Sequence, residues 1–239
     1  MTETVAAIDR VLPHGSSFPS VVETTSGRLR VMKLAGAGPG RRALATEYVA
    51  LELACRLGLN VPDVVVLRLP PALPWQVGTD EFYEAVQRSA GLNLGVALIP
   101  DATDLKAADL ASLPEDFLGR LGAIDALLHN VDRTEANPNV IRDTAGAHWA
   151  IDFGACLLID RLARGALEPR LELPPNHFLA RRTSLATGLA KSVRTFAAEV
   201  DGAYLGHLVA GLPKPWLEEL GLSHALLAHR LSRYFEDLR

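Results

Sequence analysis

Two cysteines, Cys55 and Cys156, are all that the 239 residues contain. That is too few for a disulfide framework, so a reducing compartment is expected. No apolar run approaches the roughly 18 residues that span a bilayer, and Met1-Thr-Glu-Thr-Val has neither the basic nor the apolar region of a signal peptide. The expectation is a soluble, cytoplasmic protein without a membrane partner. Basic runs are also missing and the formal net charge is −4, which argues against nucleic acid or an anionic surface as partner. No Cys/His spacing suits zinc, there is no G-x-G-x-x-G, and no internal repeat. Lysine is scarce: Lys33, Lys106, Lys191 and Lys214 stand against a total of 24 basic residues. Because arginine is the default cation here, a lysine beside other chemically suggestive residues carries extra information.

What is present is a hydrophobic content of 49%, enough for one large domain or two small lobes. Val5–Leu12 reads as an edge strand or a short helix. Ser20–Thr25 and Arg28–Leu34 read as two strands around the turn Ser26-Gly27. Period-two alternation places Lys33 on the face of Leu29 and Val31, the expected inward face. Ala43–Leu57 has helical spacing with Gly58 as its stop, and it carries Glu47 in its first turns. Val61–Leu69 and the end of Gly91–Pro100 read as strands, Pro70–Trp75 as a loop and Asp80–Ser89 as a short helix. Beyond Asp101 the chain turns helical. Ser112-Leu-Pro-Glu115 reads as a capping box opening a helix to about Leu128. A ribbon is expected at Val140–Arg142 and Trp149–Asp152, and helices at Thr183–Val200, Tyr204–Ala210 and Ser223–Leu238. The fold class is therefore α+β, with a β-rich N-terminal lobe over residues 1–100 and a mostly helical C-terminal lobe over residues 101–239.

The chemistry concentrates in Asp132, Asn137 and Asp152. Phosphoryl transfer needs in-line positioning, metal ions against phosphate charge and an acceptor for a hydroxyl proton. Asp132 suits the catalytic base or hydroxyl orienter, and Asn137 and Asp152 suit oxygen ligands of Mg²⁺. Five positions separate Asp132 from Asn137, as in the D-x-x-x-x-N loop of kinases, and Asp152-Phe153-Gly154 follows as D-F-G. Lys33 is the expected contact to ATP phosphates. Glu47 is either the carboxylate that orients it or an exposed helix residue. Two loops are candidates to cover the phosphates: His14–Ser17, with Gly15, Ser16 and Ser17, and Gly36–Gly40. The first precedes the strand pair and is better placed. His129 and His148 read as packing residues.

Several stretches together resemble the HipA-like kinases, in particular short single-module relatives of the HipA toxin kinase. They are Val31-Met-Lys33, Gly38-Pro-Gly40 through to Glu47, Leu57-Gly-Leu-Asn-Val-Pro62, Gly91-Leu-Asn-Leu-Gly95, Asn130-Val-Asp-Arg133 with Asn137-Pro-Asn139, and Ile151-Asp-Phe-Gly154. The resemblance covers roughly residues 11–160. It implies a bilobal fold similar to protein kinases and phosphatidylinositol kinases, use of ATP with Mg²⁺, and transfer to serine or threonine of a protein whose identity is unknown. Thr134 stands where the lipid-kinase loop has histidine. The chain is shorter than full HipA toxins, so an antitoxin-like partner is not an expectation. Two other readings compete. A small-molecule kinase of the aminoglycoside-phosphotransferase sort would carry histidine two residues before the catalytic aspartate, whereas His129 is three before Asp132. A nucleotide-binding pseudokinase module is countered by the intact set Lys33, Asp132, Asn137 and Asp152.

Overall fold

A computed structural model describes all residues except Met1, His14, Pro74, Trp75, Gln76, Leu167 and Arg170, and omits the side chains of 183–187. His14 of the first candidate phosphate loop and the end of the expected loop at Trp75 thus lie outside the described residues. The strands are β1 (Thr2–Val11), β2 (Ser20–Thr24), β3 (Leu29–Lys33), β4 (Val64–Leu69), β5 (Gly91–Ala97), β6 (Thr103–Asp104), β7 (Val140–Arg142) and β8 (His148–Ala150). The helices are α1 (Arg41–Arg56), α2 (Asp80–Arg88), α3 (Glu115–Leu128), α4 (Leu158–Ala163), α5 (Thr183–Glu199), α6 (Gly202–Ala210), α7 (Lys214–Glu218) and α8 (His224–Leu238). The structure is a mixed α+β arrangement. None of the described helices is long and apolar enough to cross a membrane.

The first five strands close into a barrel in the order β1-β2-β3-β5-β4. Closure comes from β1, whose residues Thr2–Thr4 run parallel to Val66–Arg68 of β4. The segment read as an edge strand or short helix, Val5–Leu12, is strand to Val11 and pairs there with β2, while the β4 partners belong to Thr2–Thr4 just ahead of it. The β2–β3 hairpin forms where Ser26-Gly27 suggests it, with Gly27 at a φ of 75°. Inside the barrel, Val5, Ile8, Val22, Met32, Val65 and Leu67 make one core, covered at one end by Phe82 of α2. Gly95 of β5 belongs to this tight interior. A Cβ there would stand 2.6 Å from the side chain of Leu67 and 3.0 Å from that of Val65.

A second, larger core packs the outer face of β4 and β5 against the helices. It holds Val66, Leu94 and Val96 beside α1 and then runs through α3, α5, α6 and α8. Helix α1 is enclosed, and Leu44 to Leu51 are all buried, Glu47 among them. Its end is a glycine stop as expected: Gly58 has φ 75°, and the N–H groups of Gly58 and Leu59 donate to Cys55 and Ala54 carbonyls. The start of α3 departs from expectation. Pro114 sits at its N-cap without a side-chain cap, and Ser112 instead closes a 3-10 turn over Ala107–Ser112 by donating to the Asp109 carbonyl.

Strand β3 has two differently used faces. Met32 points into the barrel core, whereas Val31 packs towards the helices. Lys33 shares the parity of Val31, so its side chain leaves the barrel on the helical side. Leu29, on the same parity, lies beyond the cover and is 48% exposed. The inward face of the sequence pattern is thus the face turned towards the helices.

Trp216 of α7 is the largest fully buried side chain among the described residues. Its Nε1–H donates to the Leu92 carbonyl of β5 at 3.2 Å, tying the helical part to the barrel. Trp216→Ala is expected to cost about 3–5 kcal/mol of stability. Trp216→Phe, which keeps an aromatic ring and loses the hydrogen bond, should cost about 1 kcal/mol more than a neutral change. Urea unfolding of the two variants beside the parent chain measures both.

Candidate active site

The site grows out of the end of α3. Its last helical residue is followed by His129 in a left-handed conformation, φ 57°. Asn139 (φ 49°) and Asp152 (φ 56°) share that conformation. Positive φ is uncommon outside glycine and costs energy unless the surroundings enforce it. Three such residues within 25 positions mark a backbone shaped by its contacts.

Those contacts converge on Arg133, which is completely buried. Its Nε donates to Asp125 Oδ2 at 2.6 Å, in an ion pair with no solvent access to either side chain. Its Nη1 donates to the carbonyls of Pro138 and Asn139, both at 2.8 Å, and its Nη2 reaches the Ile151 carbonyl at 3.4 Å. The guanidinium also lies 4.8 Å from the ring centre of Phe153. One side chain therefore binds both ends of the 132–139 loop and the residues on either side of Asp152. Asp125, on α3, is satisfied further by Asn130 Nδ2 at 2.8 Å and His177 Nε2 at 3.0 Å. Burial would push its carboxyl up, but Arg133 and His177 prevail and hold it below the ordinary value.

On this base stand two groups of side chains. In the first, Asp132 Oδ2 accepts from Asn137 Nδ2 at 2.8 Å and from Asn139 Nδ2 at 3.4 Å, while its own N–H donates to Asn130 Oδ1. Asp132 is half-buried and Asn137 exposed. In the second, Lys33 Nζ lies 2.6 Å from both oxygens of Glu47 and 2.8 Å from Asp152 Oδ1. Burial pulls the Lys33 ammonium down, yet the charges of Glu47 and Asp152 outweigh it and raise it above its usual value. The Lys33 charge drives the Asp152 carboxyl below the usual range. Burial lifts Glu47 against the pull of Lys33, with Asp152 adding to the lift, because two carboxylates share one cation. Glu47 is thus a buried partner of Lys33 and no exposed helix carboxylate.

The two candidate phosphate loops turn out to be neighbours. A Cβ on Gly38 would be 3.1 Å from Ser16 O and Oγ, and the Leu34 N–H donates to the Ser17 carbonyl at 3.2 Å. Gly15 (φ 114°) and Ser16 are exposed, Ser17 half-buried. They stand at the end of β3 that carries Lys33. The donor set also suits Mg²⁺. Asp152 offers a carboxylate held ionised by Lys33, with its side chain 43% exposed, and Asn137 spends its amide nitrogen on Asp132, which leaves its oxygen for a hard cation. His129 and His148 take no part in this set. His129 contacts Arg161, and His148 packs against Phe117.

Residues 5–160 match the family model described as HipA-like kinase. The chain belongs to the HipA-like kinase family. Among solved structures, that of the Helicobacter pylori proinflammatory kinase CtkA superposes with a TM-score of 0.61 at 14% identity, covering 98% of this chain and 95% of that one. The crystal structure of the Golgi casein kinase gives 0.51 at 11% identity, covering 99% of this chain and 71% of that one. At such identities the likeness shows the kinase-like fold. A comparison with curated proteins finds no match. In this HipA-like kinase the sequence did not point to Asp125 or His177, and it named Asn130, Arg133 and Asn139 within motifs without giving them a role. The available signals were slight: Asp125 is a lone acid in an apolar helical run, and Arg133 follows the candidate base directly.

Asp125→Ala leaves the Arg133 charge buried without its partner and should cost about 3–5 kcal/mol. The folded-state value of Asp125 is depressed, so its contribution is present above the unfolded carboxylate value of about 3.9 and fades as pH falls below it. Urea unfolding free energies between about pH 5 and pH 3 should therefore fall less steeply for Asp125→Asn than for the parent chain.

Proposed function

We propose that this HipA-like kinase is a two-lobed, ATP- and Mg²⁺-dependent enzyme that transfers the γ-phosphoryl group of ATP to a serine or threonine hydroxyl of a protein. The lobes are residues 1–100 and 101–239. The observation that carries the reading is the clasp of Lys33 between Glu47 and Asp152, beside a loop in which Asn137 and Asn139 hold the Asp132 carboxylate. That clasp fixes a cation on the strand side of the cleft, where phosphate oxygens need one, and sets it against the D-F-G carboxylate.

The roles follow from chemistry. Lys33, oriented by Glu47, binds ATP phosphates. Gly15, Ser16 and Ser17 cover them with backbone N–H groups and hydroxyls. Asn137 and Asp152 would hold Mg²⁺, which when bound neutralises phosphate charge. Asp132 accepts the proton of the acceptor hydroxyl as its oxygen bonds to the γ-phosphorus and the bond to the bridging oxygen of ADP breaks. A protein acceptor is favoured by the family resemblance, and one structural relative is named for casein.

Incubation with γ-labelled ATP and Mg²⁺ should label the chain itself or a lysate protein. Asp132→Asn should lose about 10²–10⁴-fold in rate while still binding ATP, as removal of a general base predicts. Lys33→Met should weaken ATP binding, and chelation of Mg²⁺ should abolish transfer. A parent chain that binds ATP yet labels no protein overturns the protein-kinase reading. ADP release with a hydroxylated metabolite would then make it a small-molecule kinase.

A further inference from the structure

Residues 171–180, between α4 and α5, have no part in the scheme above, yet they are sewn to the Asp132 loop. Asn176 Nδ2 donates to the Val131 carbonyl at 3.5 Å, and the Phe178 N–H to the Arg133 carbonyl at 3.3 Å. Between them His177 is buried, 3% exposed, and stacked on Phe178 with ring centres 5.3 Å apart. Its Nδ1 accepts the Leu179 N–H at 3.1 Å. The ring proton therefore sits on Nε2 and is donated to Asp125 Oδ2 at 3.0 Å. The same oxygen receives Arg133 Nε, and Arg133 in turn holds the carbonyls of Pro138, Asn139 and Ile151.

We propose that His177 is a positioning residue for phosphoryl transfer: it couples the chain that follows D-F-G to the loop of Asp132 through Asp125 and Arg133. The proposal rests on the kinase reading of that loop. An apolar side chain of similar size would fill the space beside Phe178 equally well. It could neither donate to Asp125 nor accept from Leu179. The imidazole is therefore needed for what it fixes, which is the direction of the Asp125 carboxylate and with it the plane of the Arg133 fork. Because Arg133 binds on both sides of Asp132 and next to Asp152, a small rotation of that fork displaces both carboxylates together. A misplacement of about 1 Å at a reacting group can cost about 100-fold in rate.

The full-length His177→Leu and His177→Gln variants test this. Glutamine places an amide N–H near the position of Nε2 and leucine does not. His177→Leu is expected to lose about 100-fold in kcat, a loss larger than any change in KM for ATP, because Glu47 still holds Lys33 and the Gly15–Ser17 loop is untouched. His177→Gln should recover most of that loss. Amide hydrogen exchange of the intact chains should show His177→Leu exchanging faster over 130–139 and 151–154, with β2 and β3 unchanged. Unaltered kcat in His177→Leu, no recovery with glutamine, or uniformly faster exchange along the whole chain would overturn the proposal, the last by reducing His177 to a stability role. If the parent chain transfers no phosphate, the kinase reading falls, and the local exchange pattern alone decides whether His177 tethers the loop.

Discussion

The ion pair of Arg133 and Asp125 is the constraint around which the site is assembled. Both side chains are wholly removed from water, and an unpaired charge in that position would be prohibitive. Satisfaction of the guanidinium dictates the course of the chain nearby. Carbonyls of Pro138, Asn139 and Ile151 must turn inward to meet it, and the backbone takes left-handed steps at Asn139 and Asp152. The local strain is offset by hydrogen bonds to a buried charge, which are among the stronger kind. The two carboxylates of chemical interest, Asp132 and Asp152, thereby lie on backbone that a wholly buried side chain holds in place.

A second constraint acts from the opposite side. Lys33 leaves β3 on the face away from the barrel interior and enters a space where α1 is covered by other elements. The enclosure of α1 makes the meeting of Lys33 with Glu47 compulsory, because neither charge has water to fall back on. Asp152, partly open to solvent, completes the clasp. The cation is thus fixed to the barrel and to α1, and the loop of Asp132 to α3. Only Asp152 belongs to both arrangements.

Lys33 was legible in the sequence because strand alternation and the scarcity of lysine both pointed to it. The alternation was ambiguous in one respect. On a strand with both faces partly covered, parity assigns residues to a face and leaves open which face is the barrel interior. The contact between Asp132 and Asn137 was legible because their spacing is local, and Asp152 stood out as a candidate by its place in D-F-G. Glu47 was not decided by its sequence, since helical spacing says nothing about how many neighbours surround a helix. Asp125 and His177 were illegible for a plainer reason. They lie 52 positions apart, and nothing in either local pattern announces the other. Ser112 misled because its capping geometry is satisfied by a 3-10 turn just ahead of α3.

The β1–β4 pairing has a further bearing on what the border of the barrel can take up. Where the sheet meets its own first strand, Thr2–Thr4 against Val66–Arg68, it presents no row of unpaired N–H and C=O groups to an incoming chain. Strand addition, a sequence-tolerant way to grip an extended peptide, is closed along that stretch of the barrel.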